Sequence, residues 1–145
     1  MFLVLFLFDR LTKYVVMTNM QVGEALPSAD SFFAIRYTLN TGVSFSMLEG
    51  RTEALIAIQL VLIVVVTAAL VVTYIRVRHP VLQTSLTWIV AGGAGNLYDR
   101  VMYGHVIDFI SVGNFPVWNF ADMCVVGGCL LIAVYLLLLH PKSNE

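Results

Sequence analysis

The strongest constraint on the fold is the presence of apolar runs long enough to cross a lipid bilayer. Ala54 to Ile75 contains no charged residue, and neither does Cys124 to Leu139. A helix needs about 20 such residues to span the hydrocarbon. The chain of 145 residues is 59% hydrophobic and 12% charged, whereas soluble domains are about 25% charged. These features indicate a membrane protein.

Two weaker apolar segments complete the pattern. Val81 to Leu97 carries no charge, and "MFLVLFLFDRLTKYVVM" is apolar on both sides of its charged residues. We therefore predict one all-α membrane domain over residues 1–145, with four transmembrane helices at about 1–18, 53–75, 81–98 and 119–140. The segments at about 19–52 and 99–118 are then external. A signal peptide is not expected, because no basic flank precedes "FLVLF".

The basic residues predict the orientation of these helices. Arg76 and Arg78 lie in the short link between spans two and three, and Lys142 follows span four. Positively charged loops stay in the cytoplasm, so both termini are predicted to be cytoplasmic. In the first external segment, "FFAIRYTL" and "VSFSML" flank a turn at Asn40 to Gly42, which predicts a small strand pair.

Polar residues concentrate at the outer ends of spans three and four and in the loop between them. They are Asn96, Asp99, Arg100, Asp108, Asn119 and Asp122. Ionisable residues at a membrane boundary are candidates for function. The apolar neighbours of Asp108 favour a tightly held proton, while the helix dipole at the start of span four favours an ionised Asp122. Two carboxylates in unequal environments can act as acid and base.

The charged residues also have a purely structural interpretation. Asp9 and Lys13 are four residues apart, the spacing of an ion pair on one helix. Asp99 is followed by Arg100, so we expect a structural ion pair between them. Neither arrangement would require a role in chemistry.

The uncharged polar residues and the glycines can also be interpreted either as structural or as functional. The stretch "AGGAGN", ending at Asn96, could serve only to let two helices approach closely. Asn96 and Asn119 could make interhelical hydrogen bonds alone. Asp122 could be an N-terminal helix residue satisfied by backbone N–H groups. The number of acids in one region nevertheless favours a functional site.

Other chemistries are disfavoured by the residues available. His79 and His140 are predicted to be cytoplasmic and His105 external, so they cannot share a metal ion. Cys124 and Cys129 are interpreted as buried, unbridged packing residues. A net charge of -1 gives no case for nucleic-acid binding. What remains is general acid–base attack by water on an amide.

Five ordered motifs resemble the lipoprotein signal peptidase (signal peptidase II) family of bacterial membrane aspartic proteases. They are "DRLTK" at 9–13, "NTGVSFS" at 40–46, "GNLYDR" at 95–100, "VIDFI" at 106–110 and "NFAD" at 119–122, and they extend over nearly the whole chain. The resemblance implies an inner-membrane enzyme with four transmembrane helices and a small external β-sheet cradle between helices one and two. It also implies a catalytic pair, Asp108 and Asp122, at the outer face.

The same resemblance implies further site residues and a substrate. Positions that shape the site or hold substrate correspond to Asp9, Lys13, Asn40, Gly42, Gly95, Asn96, Asp99, Arg100, Asn119 and Ala121. The implied substrate is a prolipoprotein with a diacylglyceryl-modified cysteine, cut just before that cysteine. No metal or other cofactor is implied, and the expected state is a monomer in contact with membrane lipids.

Two functions from other classes also fit parts of the sequence. A small transporter could use boundary acids as a proton or cation relay, but carriers often show internal repeats and a site near the midplane, and this chain displays neither. In a non-catalytic assembly subunit the glycines and asparagines would only join helices. Cleavage of a diacylated prolipoprotein peptide by the purified protein distinguishes the three functions.

Overall fold

Four α-helices and three short strands make up the described part of the chain. The computed structural model describes residues 1–42 and 52–139. In chain order the elements are α1 (Phe2–Asn19), β1 (Ala25–Leu26), β2 (Phe33–Asn40), α2 (Thr52–Val72), α3 (Pro80–Tyr103), β3 (Val106–Val112) and α4 (Phe120–Val134). π-Helical turns at Thr73–Val77 and Tyr135–Leu139 continue α2 and α4. Each predicted span therefore falls on a helix.

The third helix continues further than the predicted span. It ends only at Tyr103, where Gly104 adopts a left-handed conformation with φ of 78° and donates its N–H to the carbonyl of Arg100. Glycine at this position ends a helix without steric cost. Asp99 and Arg100, which were predicted to follow the span, are consequently helical residues. Their charges did not end the helix because both side chains have partners inside the protein.

The small sheet contains one predicted strand and one that was not predicted. Its order is β1-β2-β3, antiparallel throughout. β2 confirms the strand expected at "FFAIRYTL", whereas its expected partner at 43–48 lies outside the described residues. The cradle predicted between helices one and two is present there as β1 and β2, but the sheet also includes a strand from elsewhere in the chain. Its third strand, β3, follows α3 and is buried along most of its length, so it lacks the alternation of a half-exposed strand.

A small apolar core fixes the sheet against the end of α1. It consists of Val16 from α1, Tyr37 from β2, and Ile107 and Phe109 from β3. Successive side chains of a strand point to opposite faces. Because Ile107 and Phe109 face this core, Asp108 between them faces the other way.

Most of the helical surface is apolar and exposed. Leu55 is the only buried residue of α2, and Thr73 in the π-helical turn that follows is also buried. Side chains such as Leu60, Val61 and Val64 are at least half exposed. Two helical segments of the described chain, Thr52–Val77 and Phe120–Leu138, are long and apolar enough to cross a membrane. An exposed apolar surface of this extent is stable only in an apolar solvent.

α3 is the central helix and packs against the other three. Its glycines allow this, as the motif "AGGAGN" suggested. A Cβ atom on Gly92 would overlap the backbone carbonyl oxygen of Ala121 in α4. On Gly95 it would lie 2.7 Å from a carboxylate oxygen of Asp9 and 3.2 Å from the Cβ atom of Ala121. Both glycines therefore let α4 start close to α3, beside α1.

The contact at Gly92 predicts a difference between neighbouring glycines. Gly92→Ala must push α4 away from α3, so we expect a lower unfolding midpoint in detergent and a destabilisation of about 1–3 kcal/mol. Gly93→Ala is the matched control, because its Cβ would meet only the side chain of Ile63, at 3.1 Å, and a side-chain end can move. Equal midpoints for the two variants would contradict this account of the α3–α4 contact.

Candidate active site

Asp108 is a buried carboxylate that accepts two amide hydrogen bonds. It lies on β3 opposite Thr38 of β2 and is 2% exposed. Its Oδ2 accepts from Nδ2 of Asn40 at 2.9 Å, and its Oδ1 accepts from Nδ2 of Asn119 at 2.7 Å. Burial, followed by the charge of Asp122, raises the pKa of Asp108 to about 7, although both amides lower it. Near neutral pH this carboxyl can therefore hold or release a proton.

Asp122 is held by the first turn of α4. Asn119 is the N-cap residue, and its Oδ1 accepts from the backbone N–H of Asp122 at 2.9 Å. In return, Oδ2 of Asp122 accepts from the backbone N–H of Asn119 at 3.2 Å. In this reciprocal capping box one backbone N–H group satisfies one carboxylate oxygen of Asp122. The other carboxylate oxygen is 2.7 Å from Nδ2 of Asn96, so α3 also orients it.

The two asparagines connect the two carboxylates. Nδ2 of Asn119 donates both to Asp108 and, at 3.0 Å, to Oδ1 of Asn96. Asn119 is fully buried. The interhelical hydrogen bond that the sequence suggested is thus present, but the same side chains also bind Asp108 and Asp122. The two acids therefore belong to one hydrogen-bonded network.

Both carboxylates line a cavity of about 1090 Å³. Its polar side includes Asn40, Gln59, Asn96, Arg100, Asp108 and Asp122. Its apolar wall includes Leu55, Ile58, Leu62, Val125, Val126 and Trp118. This volume suits a large amphipathic ligand, because sites for small molecules are about 300–1,000 Å³.

A second cluster of charges lies behind the carboxylates. Lys13 is 3.1 Å from Asp9 and 2.7 Å from Asp99, and Arg10 bridges the same two acids. The predicted Asp9–Lys13 pair is confirmed. Lys13 also donates to Oδ1 of Asn96 at 2.9 Å. The cluster contains two positive and two negative side chains, so its formal charges balance.

The prediction of an ion pair between Asp99 and Arg100 was wrong. Asp99 pairs with α1, whereas Arg100 donates to Oε1 of Gln59 at 2.9 Å and to the carbonyl of Gly42 at 2.7 Å. Neighbouring residues on a helix point about 100° apart, so their side chains reach different partners. Arg100 lines the cavity, but Asp99 is fully buried outside it.

The remaining predicted site residues position the start of α4 and the end of β2. Oδ1 of Asp9 accepts from the backbone N–H of Ala121 at 3.0 Å, and Gly95 leaves the space for this contact. Gly42 donates its N–H to Oδ1 of Asn40 at 3.0 Å. All ten predicted site-shaping residues thus lie in the carboxylate network, in the charge cluster or directly against one of them.

Sequence reasoning missed two polar residues. Arg10 pairs with both buried acids, and its guanidinium lies 4.7 Å from the ring centre of Tyr98. Gln59 joins α2 to Arg100. Arg10 lies within the motif "DRLTK", and Gln59 is the single polar residue between Ala54 and Val66, so each could have been noticed in the sequence.

The cysteines differ from each other in burial. Both are free, as predicted, but only Cys124 is buried, and the prediction of burial was wrong for Cys129. Cys129 is five residues further along α4 and points outward from the apolar helix. Within residues 1–42 and 52–139 no three His, Cys, Asp or Glu side chains are grouped so that they could hold a metal ion.

Solved structures place this architecture among enzymes of bacterial membranes. A structure described as a bacterial membrane enzyme at 2.3 Å resolution superposes with a TM-score of 0.86 at 29% identity, covering 99% of this chain and 89% of that one. Another, described in the same words at 1.9 Å resolution, gives a TM-score of 0.80 at 30% identity, covering 99% and 91%.

Sequence comparison gives the family. The family model for signal peptidase (SPase) II matches residues 1–138. The lipoprotein signal peptidase of Dehalococcoides mccartyi (strain 195) is 41% identical over 142 residues, covering 94% of this chain and 86% of the relative. That of Moorella thermoacetica is 36% identical over 130 residues, covering 90% and 85%. The chain belongs to the signal peptidase II family of proteases, which confirms the resemblance of the five motifs.

Proposed function

We propose that this protein is an aspartic endopeptidase that removes the signal peptide from diacylglyceryl-modified prolipoproteins, cutting just before the lipidated cysteine. One observation carries the proposal. Two carboxylates, Asp108 and Asp122, share the amide network of Asn96 and Asn119 at the wall of one cavity. Their hydrogen-bond donors differ, since Asp108 accepts from two side-chain amides and Asp122 from one side-chain amide and one backbone N–H. Two carboxylates in unequal environments can act as acid and base.

In the proposed reaction the two acids have different roles. Asp122 takes a proton from a water molecule, whose oxygen attacks the scissile carbonyl carbon. Protonated Asp108 donates a hydrogen bond to the carbonyl oxygen as negative charge develops there. Collapse of the tetrahedral intermediate breaks the C–N bond, and the proton taken up by Asp122 passes to the leaving amine. Only water is consumed, so no cofactor is required.

The cavity supports a substrate that is part peptide and part lipid. Its apolar wall, with Leu55, Ile58 and Val126, suits acyl chains. Asn40 and Arg100 provide the polar side, where an extended peptide could bind along β2 and β3. Both carboxylates come from one chain, so a monomer is sufficient for activity.

Cleavage of a defined peptide tests this function. The purified protein in detergent should cut a synthetic prolipoprotein peptide with a diacylglyceryl cysteine on the amino side of that cysteine, as read by mass spectrometry. The unmodified peptide is the matched control and should be cut much more slowly. A transporter or an assembly subunit would cut neither peptide.

The pH profile should depend on Asn40. Asp108 must be protonated to act as the acid, so activity is present below its pKa of about 7 and is lost as the pH rises through it. Asn40→Ala removes a hydrogen bond that favours the carboxylate and therefore raises this pKa. We expect the alkaline limb of kcat/KM to move to higher pH.

Thr38→Val is the control for this profile. The hydroxyl of Thr38 donates to the backbone carbonyl of Asp108 at 3.4 Å and not to its carboxylate, so its loss should leave the limb unchanged. An alkaline limb that stays in place, or moves to lower pH, in Asn40→Ala would assign the proton to another group.

We further propose that all four helices cross the inner membrane, with both termini in the cytoplasm and the sheet outside. The support is the placement of Arg76 and Arg78 in the link between α2 and α3, under the positive-inside rule. The cavity then opens at the outer face, where lipidated precursors emerge.

Labelling of intact cells tests this orientation. In a background with Cys124→Ala and Cys129→Ala, a membrane-impermeant maleimide should label Asp30→Cys in intact cells. It should label Arg76→Cys only after the cells are opened. Labelling of the Arg76 position from outside would reverse the proposed topology.

A further inference from the structure

Gln59 is an isolated polar residue in α2, a helix with a single buried residue, Leu55. The other side chains between Ala54 and Val66 are apolar, and most of α2 is exposed. A half-buried amide in such a helix needs internal partners, since the surrounding lipid offers none. Gln59 has two, and both are in α3.

The partners of Gln59 fix the direction of its amide. Nε2 donates to the carbonyl of Gly93 at 3.0 Å, and Oε1 accepts from Nη1 of Arg100 at 2.9 Å. The first bond directs the oxygen towards Arg100. The guanidinium is planar, so a partner on one nitrogen also sets the direction of the other. Nη2 of Arg100 donates to the carbonyl of Gly42 at 2.7 Å.

From Gly42 the contacts continue to Asp108. The N–H of Gly42 donates to Oδ1 of Asn40 at 3.0 Å, which leaves Nδ2 of Asn40 to donate to Asp108 at 2.9 Å. Were Asn40 to turn its amide over, it would lose the bond to Gly42 and present oxygen to a carboxylate. The position of Gly42 therefore determines which atom of Asn40 faces Asp108.

Resting on the function proposed above, we propose that Gln59 is a positioning residue: it holds Arg100 against the carbonyl of Gly42, and so keeps Asn40 hydrogen-bonded to Asp108. Gln59 does not itself touch Asp108. Its effect is transmitted through Arg100, Gly42 and Asn40.

Gln59 carries no charge of its own. The charged groups that face Asp108 are Asp122 from α4, Lys13 from α1 and Arg100 from α3. An apolar substitution at Gln59 removes none of these charges. Any change in the proton affinity of Asp108 must then arise from a displaced partner.

The decisive variant is Gln59→Met, which keeps the length of the side chain but removes both hydrogen bonds. We expect kcat/KM to fall about tenfold, the effect of one or two lost hydrogen bonds, and the alkaline limb to move to higher pH as in Asn40→Ala. In the double variant the limb should move no further than in Asn40→Ala alone, because the two changes break the same path.

Ile63→Met is the matched control. Ile63 lies one turn further along α2 and packs against Gly93, so this change disturbs the same helix contact without removing a hydrogen bond. It should leave the limb in place. A limb that moves equally in Ile63→Met, stays fixed in Gln59→Met, or moves additively in the double variant would show that Gln59 acts only on packing or by another path.

An optical titration separates this proposal from the function itself. The infrared carbonyl band of protonated Asp108, identified by its loss in Asp108→Asn, can be followed against pH without substrate. We expect its midpoint to rise in Gln59→Met and Asn40→Ala but not in Ile63→Met. If the wild-type protein cuts no peptide and these shifts are still seen, the proposed function is wrong and the positioning role of Gln59 is retained. Unshifted bands overturn the positioning role alone.

Discussion

Replacing either Asp108 or Asp122 by Asn is expected to abolish cleavage of a diacylated prolipoprotein peptide. An amide can neither take a proton from water nor return one, and loss of general acid–base catalysis alone costs about 10²–10⁴-fold. The two acids share Asn119 as a partner, and Asn119 also donates to Asn96, which binds Asp122, so they act as a unit. The double variant should therefore be little slower than either single variant.

Folding must be measured beside activity in these variants. In Asp108→Asn the new amide N–H₂ group faces Nδ2 of Asn40 or Asn119, so two donors meet without an acceptor. The unfolding midpoint in detergent should therefore be determined for each variant. Asp30→Asn, at an exposed position, is the control and should retain full activity. Near wild-type rates for a folded Asp108 or Asp122 variant would remove that residue from the proposed catalytic pair.

Asp99→Ala is expected to cause the largest loss of stability. Asp99 is fully buried and pairs with both Arg10 and Lys13. Its removal leaves buried Lys13 and partly buried Arg10 with Asp9 as their one acidic partner in the cluster. Breaking a buried pair in this way typically costs 3–5 kcal/mol. The measurement is the unfolding midpoint in detergent, and Asp30→Ala should change the free energy of unfolding by less than about 0.5 kcal/mol.

A compensating variant distinguishes unpaired charge from lost packing. In the double variant Asp99→Ala, Lys13→Met one cation is removed together with one anion, so the cluster is again balanced. Replacing a buried ion pair by apolar residues is often nearly neutral. We expect the double variant to be more stable than Asp99→Ala alone. If it is less stable, the loss in Asp99→Ala does not come from an unpaired charge.

The helices could be predicted because each carries its own signal. Long apolar runs such as Ala54 to Ile75 are helical in any bilayer, since only an internally hydrogen-bonded backbone is stable there. Strand β2 was likewise visible between turn residues. β3 was not, because a strand buried on both faces shows no alternation, and its pairing with β2 joins residues about 70 positions apart.

The sequence predicted which residues form the candidate site better than it predicted which of them contact each other. The residues Asp108 and Asp122 were found from isolated acids in apolar segments and from the motifs "VIDFI" and "NFAD". Their connection through Asn119 required the capping box of α4 and the close approach of α3 at Gly92. The partners of Asp99 and Arg100 were misassigned because adjacency in sequence does not bring side chains together on a helix.

The sequence by itself determined that this chain is a membrane protein, which residue types are available for chemistry, and which family it belongs to. The tertiary structure alone decided which charges pair and which amide faces which carboxylate. The physical reason is range. Hydrophobicity and helix formation depend on neighbouring residues, whereas an ion pair such as Arg10 with Asp99 forms only when packed helices bring distant positions within hydrogen-bonding distance.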